Sequence, residues 1–108
     1  MATNRNRFQF PAVFGEVICY QGTLDLGDAA TGSGTFASSD VTVTGAELGD
    51  FVLVSMGVDT VDAVVAGAVT AADTVTVTLL NNTSGAVNLA STTVRIAVLK
   101  PAANSFFA

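Results

Sequence analysis

The sequence predicts an all-β protein, an antiparallel β-sandwich with little or no helix, on three observations. Valine alternates with threonine over "DVTVT" (40–44) and "TVTVT" (74–78), and apolar with polar residues over much of "TTVRIAVLK" (92–100). That two-residue period is the mark of a strand with one face turned inward. Turn-forming clusters of Gly, Asp, Asn and Ser interrupt the runs about every ten residues. No segment sustains apolar residues three and four apart, the spacing an amphipathic helix needs.

In chain order, "EVICYQGTLDL" (16–26) places Ile18, Tyr20, Leu24 and Leu26 on one face and Gln21, Thr23 and Asp25 on the other, with a bend expected at Gly22. "GDAATGSG" (27–34) reads as a flexible loop, "TFASS" as a short strand, and "DVTVT" as the next. "GAELGD" turns the chain into the apolar run "FVLVSM" (51–56), and Asp59 and Asp62 bracket another turn before "AVVAGAVT" (63–70). "AAD" leads into "TVTVTLL", "NNTSG" turns again, "AVNLA" is a weak strand, and "TTVRIAVLK" closes the series at Pro101. Two stretches, "DVTVTGAELGDFVLV" and "DTVTVTLLNNTSGAVNLA", share a strand–turn–strand pattern and read as two similar hairpins. Six to eight short strands fit a jelly-roll-like sandwich, with an immunoglobulin-like order as the alternative.

A chain of 108 residues makes one domain. Its expected organisation is an N-terminal docking arm over 1–14, a single β-sandwich over 15–100 and a C-terminal tail over 101–108. Only 12% of the residues are charged, about half the usual share. The net charge of −5 and a total of four Lys and Arg argue against nucleic acid, which is met by clustered cations. No run approaches the ~20 apolar residues of a membrane-spanning helix, and no secretory signal is read at the start. Cys19, the single cysteine, reads as a buried thiol in a strand.

The chemistry of most enzymes lacks its residues. With no histidine, a serine–histidine–aspartate triad and the usual zinc or non-haem iron sites are not on offer. "GDAATGSG" has neither the spacing nor the lysine of a phosphate loop. The carboxylates stand beside turns, where Asp28, Asp50, Asp59, Asp62 and Asp73 bind nearby backbone more readily than calcium. The overlapping sequons at Asn81 and Asn82 read as an asparagine-rich hairpin turn. No enzyme, no cofactor, no metal site and no small-molecule substrate are expected.

The informative residues are at the ends and on the outer face. Phe8, Phe10 and Phe14 stand in the leader and Phe106 and Phe107 near the last position, against only Phe36 and Phe51 between them. Left in water, such side chains would each forgo roughly 1.5–3 kcal/mol. They either fold back over the same sandwich or dock on a neighbour, and Arg5 and Arg7 favour the neighbour for the leader by offering charge-assisted contacts. The strands carry Thr, Ala and Leu outward, where a free sheet usually carries Lys and Glu, so coverage by another surface is expected.

"DVTVTGAELGDFVLVS" with "AADTVTVTLLNNTSGAVNLASTTVRIAVLKP" resembles a pattern recurrent in short structural proteins of tailed-bacteriophage virions, over about Asp40 to Pro101. The resemblance implies a β-rich module that commonly trimerises on the outside of a capsid and locks capsomers together, synthesised in the bacterial host cytoplasm. The expectation is therefore a capsid decoration (cement) protein whose partners are the major capsid protein and copies of itself. A tail, baseplate or fibre-base subunit and a host-surface or carbohydrate-binding module are the alternatives. The contact residues expected from the chain itself are Arg5, Arg7, Phe8, Phe10 and Phe14 in the arm and Phe106 and Phe107 in the tail.

Overall fold

The computed structural model describes residues 14–26, 28–29 and 34–101. Among these the chain is all-β, with eight strands: β1 (Phe14–Leu24), β2 (Asp28–Ala29), β3 (Thr35–Thr42), β4 (Phe51–Met56), β5 (Val64–Ala71), β6 (Thr74–Asn81), β7 (Val87–Asn88) and β8 (Thr92–Pro101). They form two three-stranded antiparallel sheets, β1-β8-β4 and β3-β6-β5, and a two-stranded ribbon β2-β7. The two larger sheets enclose one core, as a sandwich does.

The core follows the alternation. Val94, Ile96 and Val98 of β8 and Val75, Val77 and Leu79 of β6 are the most deeply buried apolar side chains of the two central strands. Ile18 and Tyr20 of β1 and Val52, Val54 and Met56 of β4 pack against them from the flanking strands. Val87 and Leu89, from the ribbon segment, and Leu26 add to the same cluster. Gly67 in β5 lets the sheets close on each other, because a Cβ there would stand 2.5 Å from Val54 Cγ2 and 3.0 Å from Val52 Cγ1.

Several expectations change. "TFASS" and "DVTVT" form the continuous strand β3 up to Thr42, and the predicted loop 27–34 contains the short strand β2. Neither strand–turn–strand pattern is a hairpin. β3 and β4 lie in different sheets, and β7 pairs with β2 rather than with β6, so both turns carry the chain out of one sheet into another. The true hairpin is β5–β6, whose turn at Ala72–Asp73 puts Asp73 at φ 61°. Cys19 is exposed, not buried: Ile18 and Tyr20 point inward, so the residue between them points out. β1 pairs with β8 without a break through Gly22. That glycine is a slot for the Tyr20 ring, whose Cζ would lie 2.8 Å from a Cβ at position 22.

Candidate interaction surface

Alternation decides what each sheet shows outside, and register decides which residues stand side by side. On β1-β8-β4 the outward row Val17–Leu99–Phe51 is followed by Cys19–Ala97–Leu53 and then by Gln21–Arg95–Ser55. The first two rows are apolar from one edge of the sheet to the other. Leu53 is 63% exposed and Phe51 45%, whereas Leu99 on the middle strand, between Val17 and Phe51, keeps only 8%. The Phe14 ring meets Phe51 edge-on with centroids 5.8 Å apart, extending the apolar block at its near end. Ala97, small and central, leaves a furrow of about 390 Å³ between Cys19 and Leu53 that runs on past Gln21, Ser55 and Arg95.

The opposite sheet repeats the arrangement on a smaller scale. Phe36, Leu80 and Val64 form one outward apolar row, with Phe36 65% exposed. The next rows carry Ser38, Thr78 and Ala66, then Asp40, Thr76 and Ala68. Thr76 donates to Asp40 Oδ1 at 2.6 Å and shares a 2.8 Å hydrogen bond with Thr70.

Charge is sparse and mostly committed. Arg95 donates from Nε to Gln21 Oε1 at 3.0 Å, and among the described residues it makes no ion pair. Lys100 does structural work beside the apolar block: its Nζ donates to Asp50 Oδ2 at 2.6 Å and to the Gly45 carbonyl at 2.9 Å. Glu47 lies 3.7 Å away. The hydrogen bond to Asp50 first, with the charges of Asp50, Glu47 and Glu16, raises the Lys100 pKa above 10.5 against the opposing cost of burial. The loop between β3 and β4 is thereby tied to the end of β8. Asp73 ties it again, accepting Gly45 N–H at Oδ1 (2.8 Å) while its own N–H donates to the Ala46 carbonyl (2.8 Å).

The turn after β6 is equally structural. Asn81 is wholly buried; its Nδ2 donates to the Gly85 carbonyl at 2.8 Å and its Oδ1 accepts from Thr83 N–H and Oγ–H at 2.9 and 2.6 Å. Among the described residues no group of three or more Cys, Asp or Glu side chains is gathered as a metal site.

Of the contact residues expected from the sequence, Phe14 is the first residue of β1, paired with Pro101 and edge-on to Phe51. Arg5, Arg7, Phe8, Phe10, Phe106 and Phe107 lie outside the described residues. The outward rows were not singled out from the sequence, although a signal for them was present. Val17–Ile18, Val64–Val65, Leu79–Leu80 and Val98–Leu99 are adjacent apolar pairs inside strands, and such a pair must put one side chain on each face. Compared with protein-family models, curated proteins and solved structures, the chain gives no match.

Proposed function

We propose that this is a non-enzymatic structural protein of a bacteriophage virion, a decoration protein that binds the outside of the head as a homotrimer and reinforces contacts between capsomers. It is made in the host cytoplasm and works on the capsid exterior. Its partners are the major capsid protein and copies of itself, and it needs no cofactor. The observation that carries the reading is the contiguous apolar, nearly uncharged outer surface of β1-β8-β4, with its smaller counterpart on the other sheet. Exposed contiguous apolar surface of this kind marks an interface. The strand order supports it: among the described strands β1, β3, β4 and β5 stand at the ends of their sheets, and they contain no Lys, Arg or Pro. Those residues are among the devices by which sheets guard edges; β1 and β5 each have one register irregularity instead, and coverage by neighbours would protect the rest.

The sandwich is read as jelly-roll-like in the same proposal. Among the described strands, β1 and β8 are neighbours and only β5–β6 is joined as a hairpin; the other connections pass between sheets. Many weak, identical attachments on one shell would then add up through multivalency. The test is the copy number of the protein in purified particles, by gel densitometry. Hundreds of copies per particle are expected. Tens would move the protein to the tail or baseplate, and saturable binding to a glycan array would replace the reading with a carbohydrate-binding one.

A further inference from the structure

We infer that the furrow over Ala97 receives the turn between β4 and β5 of a second copy, with Val61 seated on its floor and Asp62 paired with Arg95. The inference rests on the self-association in the reading above and names the two surfaces that meet. The furrow has a floor at Ala97, walls at Cys19 and Leu53, and a polar end at Gln21 and Arg95. At about 390 Å³ it falls at the lower end of the roughly 300–1,000 Å³ of binding pockets. That is room for the tip of a loop.

Charge selects the loop. Arg95 commits Nε to Gln21 and has no anion beside it among the described residues, so its terminal nitrogens remain as donors for a carboxylate. Two turns hold an exposed apolar side chain next to acids: Leu48 between Glu47 and Asp50, and Val61 between Asp59 and Asp62. In the first, both carboxylates lie against Lys100, Asp50 at 2.6 Å and Glu47 at 3.7 Å. In the second, Asp59 accepts the Val61 N–H at 3.0 Å, and the Asp62 carboxylate has no hydrogen bond or ion pair among the described residues. An anion without a cation thus stands on the Val61 turn, and a cation without an anion at the end of the furrow. Val61 is also held out at a cost: it is 58% exposed at φ 53°. β-Branched residues avoid that region, and strain of this kind persists where a contact uses it.

Spacing agrees with the pairing. Ala97 and Arg95 point to the same face of β8, about 7 Å apart. Adjacent turn residues stand about 3.8 Å apart at Cα, and the long arginine side chain spans the difference. The contact is not made within one chain: no ion pair joins Asp62 to Arg95, and no residue of the turn lines the furrow. Turn and furrow are different patches, so each copy offers one and accepts the other. Such a heterologous contact closes into a ring when successive copies are related by rotation, as a homotrimer requires.

The test is sedimentation velocity of the full-length protein over a concentration series, with circular dichroism to check that each variant folds. Arg95→Glu and Asp62→Arg, made singly, set like charges against each other and should weaken association by about tenfold or more. Both substitutions in one chain reverse the pair and should restore it. If Asp62→Arg does not fold at its positive φ, Asp62→Asn removes the charge, suits the turn and should give a smaller loss. Val61→Asn should steady the single copy in dilute solution and still weaken association. Single variants that associate like wild type, or a double variant no better than the singles, would overturn the inference. So would a wild-type protein that stays monomeric throughout, its furrow being covered by its own ends or kept for another protein. Copy number in particles is a separate measurement: protein abundant in virions whose association ignores both charges rejects this contact and leaves the decoration reading standing.

Discussion

Lys100 is the only lysine in the chain, and it holds the loop between β3 and β4 rather than guarding an edge. Its side chain is 20% exposed and that of Asp50 8%, so removing the cation leaves a carboxylate that is nearly out of water. Lys100→Met should cost about 1.5–3 kcal/mol, the range for a hydrogen bond to a charged group, as measured by chemical denaturation. The pH dependence has a definite sign. The folded pKa is raised above 10.5, so the pair's contribution is complete below about pH 10.5 and is lost as pH climbs through the raised value. The gap in melting temperature between wild type and Lys100→Met should be constant from pH 8 to 10 and shrink above that. A second residue is held at a cost. Val61 and Asp62 sit at φ 53° and 65°, the two central positions of a turn closed by Ala63 N–H to the Thr60 carbonyl at 3.0 Å. A β-branched residue is poorly suited to that left-handed region, which costs an L-residue roughly 1–2 kcal/mol, and Val61 is exposed. Val61→Asn should therefore stabilise the protein by about 1 kcal/mol and raise its melting temperature; a fall would mean that Val61 makes contacts worth more than the strain.

At the scale of elements, alternation made the strands legible and pairing was not. β4 coincides with "FVLVSM", and β6 and β8 begin where their valine–threonine and threonine-led runs begin, because a strand's own side chains set its period. Strand partners depend on where a turn sends the chain, and "GAELGD" and "NNTSG" carry no mark that separates a hairpin from a crossing between sheets. The folded chain shows it: Asn81 closes its turn on Thr83 and Gly85, and the chain leaves that turn for β7, which pairs with β2. The candidate surface was legible in kind, as a face poor in charge, but its rows were not, since a row is a property of three strands in register. Gly67 shows the same limit. In the sequence it is a glycine in a small-residue strand; in the fold it is where β5 meets Val52 and Val54 of β4. Gly67→Val should force β4 and β5 apart and cost about 1–3 kcal/mol, as overpacking of a core does, measured by the shift in denaturation midpoint. An unchanged midpoint would mean that the sheets have slack there.

For the whole molecule, the sandwich and its leader should be separable in function, and Phe14 marks where to cut. Phe14 belongs to β1 and meets Phe51 edge-on, so a cut that keeps it leaves that strand and contact whole. Removing residues 2–13 spares that contact, every buried core residue among those described and the tie between Lys100 and the loop. The truncated protein should fold, with the β-type circular dichroism and cooperative melt of the full chain, and should fail to bind particles. Unfolding on truncation would place the leader in the protein's own core instead. Within the leader, two kinds of attachment can be told apart by salt. Charge-assisted contacts of Arg5 and Arg7 with a partner would weaken as ions screen them over a Debye length that falls to about 3 Å at 1 M, whereas docking of the Phe8 and Phe10 rings would not depend on screening. At high salt, Phe8→Ala with Phe10→Ala should reduce co-sedimentation with particles far more than Arg5→Ala with Arg7→Ala. At low salt the two double variants should come closer together. The reverse order at high salt would mean that the arm is held by its charges, and that the apolar rows on the sheets serve contacts among the copies alone.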